Sequence, residues 1–161
     1  GYTHVQHTFE PVFDEHSRIL ILGSFPSVKS REIQFYYGHP QNRFWKLMAQ
    51  LLDVPVPQSI DEKKTMLLTH GLALWDVIAS CDIKGSSDSS IKNAVPADIS
   101  RILKAADIQT IIANGGTAFR LYGRYCEPVT RRPAALCPST SPANAAFSLE
   151  RLSECWSKFI I

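Results

Sequence analysis

Apolar residues follow two rhythms along this chain. Ile19 to Leu22 is a short unbroken apolar run, stopped by Gly23-Ser24-Phe25-Pro26-Ser27, and it predicts a buried strand followed by a loop. Phe44, Trp45, Met48, Leu51 and Leu52 recur at helical spacing and predict a helix from near Asn42 to just before Asp53. Ser59 and Glu62 form a capping-box pair ahead of a helix carrying Ile60, Met66, Leu67 and Leu68, which Gly71 closes. A second strand is expected over Leu72 to Ile78 and a third over Ile108 to Ala113. A fourth is expected over Pro133 to Cys137. Helices are expected around Ile99–Ala106 and Ala118–Tyr125. The last helix is capped by Ser148, with Leu149, Leu152, Trp156, Phe159 and Ile160 as its apolar stripe.

Strands alternating with helices predict a parallel sheet covered on both faces, an α/β fold. No repeat, linker or second core interrupts the pattern, so 1–161 reads as one domain. Its first 17 residues, polar and rich in histidine (His4, His7, His16), read as an arm lying over the sheet, anchored by Phe9, Val12 and Phe13.

Composition narrows the class. At 161 residues, 45% hydrophobic and 20% charged, the chain is an ordinary soluble domain able to bury a core. No apolar run nears the ~20 residues of a membrane span, and no basic-then-apolar leader opens the sequence. The four cysteines, Cys81, Cys126, Cys137 and Cys155, have no metal-ligand spacing. Scattered thiols suit a reducing, cytoplasmic setting, and metal ligation is not expected. A net charge of +2 permits a nucleic-acid partner without demanding one.

The richest chemistry lies after the first strand. In a parallel sheet, ligands sit at the carboxyl ends of strands. There this chain places its Gly23–Ser27 loop and then the cluster Phe35-Tyr36-Tyr37-Gly38-His39-Pro40-Gln41-Asn42-Arg43-Phe44-Trp45. On the same face fall Asp76, the serine-rich loop Lys84–Ser90, the turn Asn114-Gly115-Gly116, and Pro138-Ser139-Thr140-Ser141-Pro142-Ala143-Asn144.

Gly23–Ser27 with HPQNRFW, followed by the Pro138–Asn144 segment after the last strand, resembles the two active-site motifs of the uracil-DNA glycosylase superfamily. Within it the similarity is greatest to the hypoxanthine-DNA (deoxyinosine) glycosylase branch, and it runs from about Ser17 to Phe159. The resemblance implies a three-layer α/β/α fold with a four-stranded parallel sheet. It also implies a monomeric enzyme without metal or organic cofactor that acts on DNA containing deaminated bases. Such an enzyme flips the base out of the stack, hydrolyses its glycosidic bond and leaves an abasic site. Other branches often place Asp or Asn after the first motif's glycine and His in the second motif. Here those neighbourhoods are Ser24-Phe25 and Ser139-Thr140-Ser141, so the resemblance puts catalysis on Asn42. An amide is no general base at neutral pH, so Asn42 would orient water and stabilise charge. It is equally suited to cap the helix it precedes.

Ser24, Phe25, Pro26 and Phe35 are candidates for holding the base, with Phe25 the favoured stacking ring and Tyr36 and Tyr37 as further rings. Asp76 either accepts a hydrogen bond from the base or holds the serine loop. Asn114 either reads the base edge or serves its turn. Ser27, Lys29, Arg43, Ser139, Thr140, Ser141, Pro142, Ala143 and Asn144 are candidates for DNA contact, with Arg31 and Lys46 on the same face. Two other readings compete. One is a flavodoxin-like module that binds a nucleotide or damaged DNA without chemistry, although neither GxxxxGK[ST] nor GxGxxG is present. The other is a Ser24 hydrolase, which lacks the GxSxG elbow. A glycosylase preferring uracil is the third alternative.

Overall fold

The structure, a computed structural model, describes residues 1–160. In chain order it runs β1 (Thr3–Gln6), β2 (Ile19–Gly23), α1 (Val28–Ile33), α2 (Phe44–Leu52), α3 (Ile60–Thr69), β3 (Leu72–Asp76) and β4 (Ile78–Ile83). It continues through β5 (Lys92–Pro96), α4 (Ser100–Ala105), β6 (Thr110–Asn114), α5 (Gly116–Leu121), α6 (Glu127–Thr130), β7 (Ala135–Cys137) and α7 (Leu149–Trp156).

Four strands form the expected parallel sheet, in the order β3-β2-β6-β7. Its register sorts the side chains by face. Ile21 lies level with Leu74 on one side and Ile112 on the other, and these three pack with Phe44, Leu47 and Met48 of α2, Met66 and Leu67 of α3, and Leu152 and Trp156 of α7. One residue earlier, Leu20, Ala73 and Ile111 are level and enter the opposite core, with Ile102 of α4 and Leu121 of α5. Alternate residues of each strand thus serve two hydrophobic layers. The caps agree with the sequence: Ser59 Oγ accepts from Glu62 N at 3.1 Å, and Ser148 Oγ accepts from Arg151 N at 3.2 Å. Gly71 has φ +69°, the left-handed conformation of a helix-terminating glycine.

A second, antiparallel sheet of order β1-β4-β5 departs from the sequence reading. The strand expected over Leu72 to Ile78 ends at Asp76, and Ile78 begins β4, which pairs with β1 from Ile83↔Thr3 to Ser80↔Gln6. One continuous apolar stretch therefore supplies two strands of different sheets. The N-terminal arm does not lie over a face. It pairs edge-on: Val12 exchanges both backbone hydrogen bonds with Leu74 at 2.8 and 2.9 Å, covering the outer edge of β3. A further difference is α1, which forms where a loop was expected. Ser27 caps it by accepting from Ser30 N at 3.2 Å, and only Ser30 of its six residues is buried, so no apolar stripe announces it.

Candidate active site

The loops after the four parallel strands surround an open cleft of about 1070 Å³. Gly23, Asp76, Asn114 and Cys137 end the four strands, in paired register, and all four line it. Glycine is required at position 23. A Cβ there would come within 2.5 Å of Asp76 Oδ1 and 3.0 Å of the Tyr37 hydroxyl. Those two polar atoms therefore converge on the same small space above Gly23.

Asp76 is 3% exposed, and its Oδ2 lies 2.8 Å from His7 Nε2. Its other oxygen has no protein partner among the described residues. Tyr37 adopts φ +52°, stacks on Phe44 with ring centroids 4.3 Å apart, and buries its hydroxyl without a hydrogen-bond partner. Burial, and then the Asp76 charge, push its ionisation far above the ordinary phenol range against the opposing effect of the neighbouring Asn114 side chain, so it remains an O–H donor. A buried hydroxyl left unpaired costs about 1–3 kcal/mol, and strained backbone of this kind concentrates at functional sites.

The second wall is the Pro138–Asn144 segment. Asn114 and Thr140 exchange hydrogen bonds, Asn114 Nδ2 to Thr140 Oγ1 and Thr140 N to Asn114 Oδ1, both at 3.1 Å. That pairing uses one lone pair of Asn114 Oδ1 and one Nδ2 hydrogen, leaving the other of each for a ligand, and Thr140 is fully buried in the cleft wall. Arg43 also differs from its expected role. Its guanidinium donates to the carbonyls of Phe147, Ser141 (3.0 Å) and Asn144 (3.1 Å), while its backbone N donates to Thr140 O at 3.1 Å. It clamps the two motif segments together, with its guanidinium committed to these carbonyls. Ser139, Ser141, Pro142, Ala143 and Asn144 remain on the cleft rim, folded by local bonds such as Ser139 Oγ accepting from Ser141 N and Asn144 Nδ2 donating to Ser139 O.

Asn42 lines the cleft, and its Oδ1 accepts from Phe44 N at 2.9 Å. The amide thus braces the start of α2 while keeping Nδ2 and one oxygen lone pair unused. Ser24, Phe25, Pro26 and Ser27 line it as well. Phe25 is 7% exposed and meets His7 edge-on at 6.2 Å, so only a small part of its ring is offered to a ligand. Phe35 is not in the cleft. It lies in the core, stacked on Trp45 at 5.9 Å, because the chain turns between it and Tyr37. Lys29 is exposed, outside the cleft lining, and pairs with Glu32 at 3.6 Å.

Three groups escaped the sequence reading: His7, the Tyr37 hydroxyl as a donor, and Asp88. Asp88 Oδ1 accepts from Ser24 Oγ at 2.8 Å, which folds the serine loop against the first motif. Desolvation raises its carboxyl above the usual range, opposed by the Ser24 hydrogen bond and reinforced by the Asp76 charge. Its signal was its place in a loop already assigned to this face; His7 carried no local signal at all.

An α/β sheet whose carboxyl-terminal loops enclose a polar cleft, with carboxylate, amide and phenol converging at its floor, defines a ligand-processing protein of the strand-end type. Comparison with known proteins gives the class its family. Residues 10–160 match the model of the uracil DNA glycosylase superfamily, and the chain belongs to that superfamily. It is 36% identical over 154 residues to a protein of Methanosarcina acetivorans named hypoxanthine DNA glycosylase, covering 93% of this chain and 95% of that one. A protein of the same name from Methanosarcina barkeri is 36% identical over 127 residues, 76% of either chain. The solution NMR structure of a candidate uracil DNA glycosylase from M. acetivorans superposes with a TM-score of 0.80 at 33% identity, covering 94% of this chain and 93% of that one. No helix among the described residues is long and apolar enough to cross a membrane.

Proposed function

We propose that this chain is a monofunctional DNA glycosylase that removes deaminated bases, hypoxanthine foremost, and leaves an abasic site. The observation that carries the reading is the unpartnered pair at the cleft floor, Asp76 Oδ1 and the Tyr37 hydroxyl, both within reach of one point above Gly23. A deaminated base presents a carbonyl beside an N–H. Tyr37 donates to the carbonyl O6 and Asp76 Oδ1 accepts from N1–H. Adenine offers an amino group and a lone pair at these positions, so the carboxylate faces a lone pair. Each mismatched buried group costs about 1–3 kcal/mol, enough for several orders of magnitude of rejection.

Because C1′ is inaccessible within a stacked duplex, the nucleotide must be extruded into the cleft. The rim segment Ser139, Ser141, Pro142, Ala143 and Asn144 supports the flanking backbone with small side chains and amide groups. The C1′–N9 bond breaks with its electron pair going to the base. Water, held by the Asn42 amide, adds its oxygen to C1′ and gives up a proton, and the base leaves protonated. One copy of the chain supplies every group invoked, which supports a monomer as the working unit.

The test is base release from matched duplexes carrying one inosine, uracil or adenine, under single-turnover conditions. Hypoxanthine should be released fastest, uracil more slowly and adenine not at all. Faster uracil release would reassign the substrate, and tight binding without any free base would leave a binding module in place of an enzyme.

A further inference from the structure

His7 precedes the family match, which starts at residue 10, and belongs to neither motif. The fold nevertheless brings its ring against the Asp76 carboxylate, 69 residues away. Its backbone N donates to Ala79 O at 2.8 Å, so the position of the ring follows from the pairing of β1 with β4. The ring sits among Phe9 at 4.4 Å, Tyr36 at 5.9 Å and Phe25 at 6.2 Å. Its side chain is 4% exposed and that of Asp76 is 5% exposed, with 2.8 Å between Nε2 and Oδ2. A carboxylate only accepts, so Nε2 carries the hydrogen and donates it. Behind Asp76, His7 lines a smaller cleft of about 150 Å³, with Glu10 and Arg101.

The structure assigns to His7 the role of positioning residue for base selection: its N–H holds Asp76 Oδ2, so that Oδ1 alone faces the extruded base. This inference rests on the reading of Asp76 as acceptor for the base N–H. A carboxylate free at both oxygens can turn about its Cβ–Cγ bond and meet a base at varying angles. One held at 2.8 Å by a ring that three aromatic neighbours confine cannot turn without breaking that bond. The arrangement repeats the logic in which a group touching substrate is oriented by a second group behind it. A purely structural role, pinning the arm to the sheet, would make the same contact but would have no bearing on which base is excised.

His7→Phe, His7→Gln, Asp76→Asn and the double variant His7→Phe/Asp76→Asn separate the two. The measurements are single-turnover release of hypoxanthine and adenine at saturating protein, DNA affinity, and melting. Phenylalanine suits the aromatic surroundings but removes the donor. It should slow hypoxanthine release on the order of tenfold to a hundredfold with DNA affinity little changed, and narrow the preference over adenine. Glutamine retains an N–H donor and should restore most of the rate. It is also the variant to read should the phenylalanine protein melt below the assay temperature. In the Asp76→Asn background, His7→Phe should add little, because coupled residues are not additive. A folded His7→Phe protein with the wild-type rate overturns the inference. So does His7→Gln as slow as His7→Phe, or an equal loss with and without the Asp76 carboxylate. Wild-type hypoxanthine release by Asp76→Asn would instead overturn the reading of the base site itself.

Discussion

Arg43 offers the sharpest quantitative test of the site's construction, because a basic residue beside a DNA-binding cleft is ordinarily assigned to a phosphate. Replacing it by methionine keeps the stem and removes the guanidinium. Three carbonyls, those of Phe147, Ser141 and Asn144, lose a charged donor. Hydrogen bonds to charged groups contribute about 1.5–3 kcal/mol each, but loop carbonyls recover part of that from water, so the net loss should be on the order of 3–5 kcal/mol. At about 2–4 °C per kcal/mol for a chain of this size, melting should fall by roughly 6–20 °C. Calorimetry and denaturant titration read the stability, and binding to an abasic duplex across a salt series reads the charge role. A phosphate contact would contribute about 0.9 to the slope of log K against log salt. We expect that slope to stay as in the wild type while stability drops. Melting within about 2 °C of wild type, together with a slope reduced by one contact, would refute the clamp.

Asn42→Ala should lower single-turnover excision about 10²–10³-fold while DNA affinity holds, and loss of its bond to Phe44 N should lower stability by about 1 kcal/mol. Near-normal excision by the folded variant removes Asn42 from the mechanism. Excision should survive chelation, since no cluster of three His, Cys, Asp or Glu side chains suited to a metal occurs among the described residues. Borohydride should trap no protein–DNA adduct, because neither motif carries a lysine for a Schiff base. For Asp88, a raised carboxyl means that the folded protein binds the proton more tightly than the unfolded chain. Stability from this group is therefore fully present below the ordinary carboxylate range and is lost as pH rises from there through the raised folded-state value. Asp88→Asn, which keeps an acceptor for Ser24, should melt above wild type near neutral pH. The gap should close toward about pH 3–4, and one that is constant or reversed in a pH series of melting curves would contradict the assignment.

The parallel sheet was legible because its strands are short apolar runs ended by glycine or polar punctuation. Ile19–Gly23 and Thr110–Asn114 advertise themselves locally. The antiparallel sheet was not. Lys92–Pro96 holds a lysine, an asparagine and a proline, all poor strand formers, and pairing with β4 alone makes it a strand. The cleft's location followed from the order of elements, and both motif segments line it. What the chain could not announce was which polar groups pair with one another. Arg43 with three carbonyls, Asn114 with Thr140 and His7 with Asp76 join positions 26 to 104 residues apart. No local pattern encodes such partners. Phe35 failed for a related reason: three consecutive rings give no sign of where the chain turns, and only packing sends the first to the core and the third to the cleft.

The strand order has a consequence for synthesis on the ribosome. β2, at the centre of the sheet, finds β3 soon after it emerges, but its other neighbour, β6, is about 90 residues downstream. The wall beyond that waits for β7 and the segment after it. Until residues 140–147 have left the exit tunnel, Arg43 has no carbonyls to hold and Asn114 has no threonine to meet. A nascent chain that has not yet released this segment therefore exposes the Gly23 loop without an enclosing cleft, and base selection begins only once the segment is free to dock.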